Sequence, residues 1–144
     1  MCVSDCCMLQ PVTKRNCVFQ TAYHVIWCPK FRHDILTGEV AAELQSLLAT
    51  ICTDNGWPLI SQEIQPDHIH LFVSIPPSVA VSNAVKILKG TTARLLFLRY
   101  PDLKQRLWGD NLWSPSYFVG TAGNVSAETI KRYIERSAHV TKRR

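Results

Sequence analysis

The stretch Pro66-Asp67-His68-Ile69-His70-Leu71-Phe72-Val73-Ser74-Ile75 constrains the fold more than any other part of the chain. A Pro-Asp turn opens it, and the β-branched and large apolar residues that follow favour a strand. Side chains on a strand alternate between faces, so Ile69, Leu71, Val73 and Ile75 line one face while His68 and His70 project from the other. Two imidazoles about 7 Å apart on one rigid face can pinch a divalent cation. They suit the solvated face of an ordinary strand equally well, so the rest of the chain has to decide between the two.

A chain of 144 residues is long enough for one compact domain with its own core. Its apolar residues fall in short runs, which predicts no transmembrane helix. Met1-Cys2-Val3-Ser4-Asp5-Cys6-Cys7 has no basic start followed by an apolar stretch, so no secretory signal is read there and a cytoplasmic protein is expected. The six cysteines, Cys2, Cys6, Cys7, Cys17, Cys28 and Cys52, are then reduced thiols rather than a disulfide framework. Cys2, Cys6 and Cys7 lack the paired Cys-x-x-Cys spacing and the nearby histidine of a zinc finger.

The net charge of +5 is unevenly placed. Residues 1–85 carry 4 basic and 7 acidic groups, whereas 86–106 carry 6 and 1 and 126–144 carry 6 and 2. Two basic segments on a mildly acidic body point to a polyanion approached from one side, most often nucleic acid. Solvated helix faces would give the same charges without a ligand.

Residues 1–16 show no period and read as a flexible tail, and 17–140 as the domain. Val18 to Trp27 is rich in β-branched and aromatic residues and predicts a strand ending at Pro29, with Lys30-Phe31-Arg32-His33 as a basic loop. Thr37 can cap a helix with Glu39 in its first turn, and Val40, Leu44, Leu47, Leu48 and Ile51 recur at helical spacing up to the Asn55-Gly56 stop. Trp57 to Ile64 is a second strand, turned by Gln65-Pro66-Asp67 into the histidine strand as an antiparallel pair.

Ser78 can cap the next helix, whose apolar side carries Val81, Val85, Leu88, Leu95, Leu96 and Leu98. Lys86, Lys89, Arg94 and Arg99 lie mostly elsewhere on it, and Pro101 limits its end. Gly90 sits mid-helix, where a glycine allows close backbone approach of a neighbour or a phosphate. Leu103 to Trp113 reads as irregular, Pro115 to Thr121 as another strand, and Asn124 or Ser126 as the start of a last helix ahead of the basic tail 141–144. The order β-α-β-β-α-β-α is a split βαβ pattern. It predicts an α+β, ferredoxin-like domain: an antiparallel sheet with helices on one face and an added C-terminal helix.

Tyr133 is the candidate nucleophile of a phosphate site, because Lys131, Arg132 and Arg136 surround it on that last helix, where positive charge favours phenolate and attracts phosphate. Five blocks then occur together in one order. They are Trp27-Cys28-Pro29-Lys30-Phe31-Arg32, Pro66-Asp67-His68-Ile69-His70, Leu88-Lys89-Gly90, Leu112-Trp113-Ser114-Pro115-Ser116-Tyr117 and Tyr133-Ile134-Glu135. Over roughly residues 17 to 139 the chain resembles the single-tyrosine HUH transposases of insertion sequences, the IS-two-hundred and IS-six-hundred-five family.

The resemblance implies an enzyme that cleaves and rejoins single-stranded DNA at element ends. It implies a 5′-phosphotyrosine intermediate on Tyr133, Mg²⁺ or Mn²⁺ held by His68 and His70, recognition of DNA hairpins, and a homodimer in which the tyrosine helix can complete the partner's site. No nucleotide cofactor is implied. Lys86, Lys89, Arg94, Arg99, Lys131, Arg132 and Arg136 are the expected DNA contacts, and some of Phe31, Trp108, Trp113 and Phe118 are candidates for stacking on unpaired bases. One position departs from the family pattern: a glutamine usually stands four residues after the tyrosine as a third metal ligand, and here that place is Ser137, a shorter and poorer ligand. A catalytically weakened or silent hairpin-binding protein of the same fold is therefore the alternative, and an unrelated zinc hydrolase a more distant one.

Overall fold

The computed structural model describes residues 11–14, 17–19 and 21–121, together with Glu135, which is helical and exposed. Tyr133, Ser137, Lys131, Arg132, Arg136, the tail 141–144 and the N-terminal cysteines lie outside the described residues. Strand β1 is Val12–Lys14, β2 Cys17–Phe19 and β3 Ala22–Trp27. Helix α1 is Gly38–Asn55, β4 Leu59–Gln65, β5 His68–Ser74, α2 Val81–Arg99, α3 Asp102–Leu107 and β6 Phe118–Thr121.

Four strands form one sheet in the order β4-β5-β3-β6, every neighbour antiparallel. With α1 between β3 and β4 and α2 between β5 and β6, this is the ferredoxin-like α+β arrangement. Val25, Trp27, Ile69, Leu71 and Val73 point from one face of β3 and β5 into the core, where they meet Leu44, Leu48 and Ile51 of α1 and Val85, Leu88 and Leu96 of α2. Both long helices thus cover a single face, and the even-numbered residues of β3 and β5 are left on the other.

Local chemistry explains most element ends. Helix α1 stops where Gly56 takes up a left-handed conformation (φ 72°), its N–H donating to the Thr53 carbonyl and the Trp57 N–H to that of Cys52. That closure satisfies two carbonyls that the helix end would otherwise leave without partners. The start differs from expectation: Thr37 stands at the N-cap with extended backbone, but its side chain makes no capping hydrogen bond. Helix α2 begins at Val81 after Ala80, so Ser78 lies in the preceding turn and caps nothing.

Three segments depart further from the sequence reading. Val12–Lys14 pairs with Cys17–Phe19 in a separate two-stranded ladder, inside a stretch with no readable period. The long strand expected from Val18 to Trp27 is therefore two, divided before Ala22. The stretch expected to be irregular after Leu103 contains α3, which buries Leu103 and Leu107 one turn apart. Beyond it, residues 112–114 run antiparallel to 28–30: the Lys30 N–H donates to the Leu112 carbonyl and the Ser114 N–H to the Cys28 carbonyl, each at 2.9 Å.

Candidate active site

On the face opposite the helices, β5 presents His68, His70 and Phe72, β3 presents His24 and Ile26, and β4 presents Glu63 and Gln65, because Glu63 pairs with His70 and Gln65 with His68. Ile26 and Phe72 are buried there, while the two imidazoles of β5 keep partial exposure. His68 and His70 sit side by side on this face, as the alternation of the strand requires. Each ring has a defined partner. The His68 Nδ1 is 2.9 Å from Asp67 Oδ1, and Asp67 Oδ2 is 3.2 Å from Nε of Arg32. The carboxylate is thereby shared between a guanidinium and an imidazole, and the ring is turned so that its Nε2 points away from Asp67.

His70 Nε2 is 2.9 Å from His24 Nδ1. One ring must donate and the other accept, so this contact suits two neutral imidazoles sharing one proton. His24 in turn stacks on Phe72, with ring centroids 4.4 Å apart and planes within 10°. Burial lowers the affinity of His70 for a further proton, and the neighbouring His24 and His68 lower it again, against a smaller upward pull from Glu63. Burial lowers that of His24 as well. Neutral imidazoles are the form that ligates metal.

The donor set fits a divalent ion in part. A ring whose other nitrogen is held by a carboxylate is the usual arrangement of a ligating histidine, and His68 has it through Asp67. His70 turns its Nε2 to His24 Nδ1, so that hydrogen bond would have to open before this nitrogen could take an ion. Among the described residues no group of three or more His, Cys, Asp or Glu side chains is arranged to hold an ion. The described chain thus supplies two nitrogens, and further ligands have to come from water, phosphate or elsewhere.

His24 falls within the stretch that the sequence predicts as a strand, Val18 to Trp27, with nothing local to mark it for a site. Its parity is visible in the sequence, but the register that sets β3 against β5 is not, and only that register brings His24 next to His70.

The basic residues divide. Lys86, Arg94 and Arg99 are exposed on α2. That helix packs on the face of the sheet opposite the imidazoles, so these cations and the histidine pair are separated by the sheet itself. Lys89 differs from the expectation of a DNA-gripping cation. Its ammonium donates to the carbonyls of Ser114 (2.7 Å) and Ser116 (3.1 Å) and lies over the Tyr117 ring, and burial pulls its pKa down to about 8. The Lys89 carbonyl and Thr92 hydroxyl accept from the Trp113 indole N–H at 3.0 and 3.1 Å. Trp113 also packs edge-on against Trp27, so it is a core residue rather than a stacking surface. Lys89 and Trp113 together tie α2 to the segment leading into β6.

The chain is thus an α+β protein of ferredoxin-like type, with helices on one face of an antiparallel sheet and a His-x-His pair on the other. A model of the IS200-like transposases matches residues 17–137. The ISDra2 transposase TnpA of Deinococcus radiodurans is 47% identical over 121 residues, covering 84% of this chain and 86% of that protein. The transposase for insertion sequence element IS200 of Salmonella typhimurium is 32% identical over 123 residues, covering 85% and 78%. This chain belongs to the IS200-like transposase family.

Solved structures agree. A Deinococcus radiodurans crystal structure assigned as a transposase superposes with a TM-score of 0.81 at 41% identity, covering 88% of this chain and 97% of that one. The REP-associated tyrosine transposase, solved bound to a REP hairpin, gives a TM-score of 0.52 at 12% identity over 88% of this chain and 69% of that one, a likeness of fold.

Proposed function

We propose that this transposase cleaves and rejoins single-stranded DNA at insertion-sequence ends through a 5′-phosphotyrosine on Tyr133, that it recognises DNA hairpins, and that it works as a cytoplasmic homodimer. The observation that carries the reading is the imidazole pair on the sheet face opposite the helices, His68 held by Asp67 and His70 by His24, in a chain of this family. His68 and His70 would hold Mg²⁺ or Mn²⁺, which supplies charge neutralisation at the non-bridging oxygens of the phosphate. Burial disfavours the protonated form of His70, which could not ligate.

The tyrosine oxygen attacks the scissile phosphorus as the bond to the 3′ oxygen breaks. The phosphate then stays on the enzyme, and the 3′ hydroxyl departs with a proton. Attack by a 3′ hydroxyl on the phosphotyrosine reverses the step, so strands are exchanged without nucleotide hydrolysis. Exposed Lys86, Arg94 and Arg99, with Lys131, Arg132 and Arg136, contribute backbone contacts to the DNA.

The test is a covalent adduct between the protein and a single-stranded hairpin oligonucleotide in Mn²⁺, resolved on a denaturing gel. Wild type forms it, and Tyr133→Phe binds the DNA but does not. Binding without any adduct from wild type would favour a silent hairpin binder, the reading that Ser137 motivates. In that case, cleavage gained by Ser137→Gln would identify the missing third ligand.

A further inference from the structure

An open groove of about 490 Å³ is lined by Lys30, Phe31, His33, Trp108 and Asn111, with no role in the chemistry above. Trp108 is 85% exposed, the largest apolar side chain so displayed among the described residues. It ends α3 in a left-handed conformation (φ 57°, ψ 47°), a state that disfavours any residue with a Cβ. Phe31 and Arg32, across the groove in sequence terms, are also left-handed, at φ 58° and 52°. The described non-glycine residues with positive φ are these three, and all belong to the two short segments that build this groove. Strain of that kind persists where surrounding structure fixes a side chain for use.

The chemistry of the lining is specific. Two aromatic side chains and a His33 ring set edge-on to Phe31 (5.8 Å) offer flat surfaces. The Lys30 ammonium lies 5.2 Å from the Phe31 ring centroid, at the Gly109 end of the groove. Asn111 adds an amide able both to donate and to accept. A flat apolar surface, one cation and one amide match a nucleobase with its adjoining phosphate. The groove also has a physical link to the imidazoles: Arg32, next to Phe31, pairs with Asp67, which holds His68.

We infer that the Trp108–Phe31 groove is a stacking site for an unpaired base of the single strand. The inference rests on the single-stranded-DNA reading above and adds to it a second point of attachment. It assigns to Trp108 a role in binding rather than in chemistry. Such a site tolerates any base, because every base offers a π face.

The probes are a single-stranded oligothymidylate, an abasic strand of the same length and charge, and hairpin DNA, each titrated against the full chain by fluorescence anisotropy. Wild type should bind the oligothymidylate more tightly than the abasic strand, by about 5- to 150-fold for one stacked base. Trp108→Ala should lose that difference while keeping its affinity for the abasic strand, and Trp108→Tyr should keep most of it. Quenching of tryptophan emission by oligothymidylate should vanish in Trp108→Ala. Equal wild-type affinity for the two single strands, or a base preference that survives Trp108→Ala, would overturn the groove assignment and leave the hairpin reading standing. A wild-type protein that binds none of the three probes would overturn both.

Discussion

Asp67 uses its two oxygens on different partners, Oδ1 towards His68 and Oδ2 towards Arg32, so one short side chain fixes the ring that faces the proposed metal. Asp67→Asn keeps the shape and removes the charge that selects the His68 tautomer. Apparent Mn²⁺ affinity, read from the metal dependence of adduct formation, should fall about 10- to 100-fold, the usual size of an outer-shell effect, with metal-free DNA binding unchanged. The His24–His70 pair makes a separate statement about pH. Both rings have pKa values below the ordinary 6.5, so on acidification the unfolded chain takes up protons first. Their contribution to stability is complete above 6.5 and is lost as pH falls through the folded-state values. Thermal melting in EDTA should show this fall below pH 6.5, and His24→Gln should make it shallower. Of these residues the sequence displays His68 and His70 by alternation alone. Asp67 reads only as a turn former, because its second task depends on Arg32 arriving from a distant loop.

Helix α2 carries the plainest contrast between legible and hidden features at the level of elements. Its apolar spacing holds at Val85, Leu88 and Leu96 and fails at Leu98, which is 70% exposed while Phe97 is buried in its place, and Pro101 follows its end. Where Lys89 points is decided by tertiary packing, against carbonyls of a segment 25 residues on, and no helical period could show that. Gly90 lies one turn from both Lys86 and Arg94, exposed, with nothing within 4 Å of where its Cβ would stand. No protein neighbour therefore needs the glycine. Gly90→Ala should raise stability by about 1 kcal/mol in urea denaturation, and a loss of stability would contradict the exposed placement. Weaker hairpin binding by this better-folded variant would show that DNA approaches the bare backbone there. Helix α3 went unread for the opposite reason: six residues give one apolar repeat, Leu103 to Leu107, which is too little to count as a period. The β1–β2 ladder is shorter still, and three-residue strands hold no alternation to read.

Across the whole molecule, the sequence blocks that carried the family resemblance are brought together by packing. Trp27, Lys89 and Trp113 touch one another's neighbourhoods through a ring contact and shared hydrogen bonds, while the Pro29–Trp113 bridge and the Arg32–Asp67 pair join the loop after β3 to the β6 side and to the histidine strand. The fold thus separates two surfaces. One is the imidazole face, tied through the Arg32–Asp67 pair to the loop that lines the aromatic groove, and the other is the helix layer with exposed cations on α2. Charge counting along the chain locates the basic segments but not which side of the sheet they occupy, since that follows from how β5 leads into α2. The central claim is that the phosphate is transferred to Tyr133 while the histidine face holds the scissile group. Mass spectrometry of the protease-digested adduct tests it most directly. The account predicts a 5′-phosphonucleotide on the peptide containing Tyr133, with no modified peptide from His70→Ala, and a nucleotide found on any other residue would contradict it.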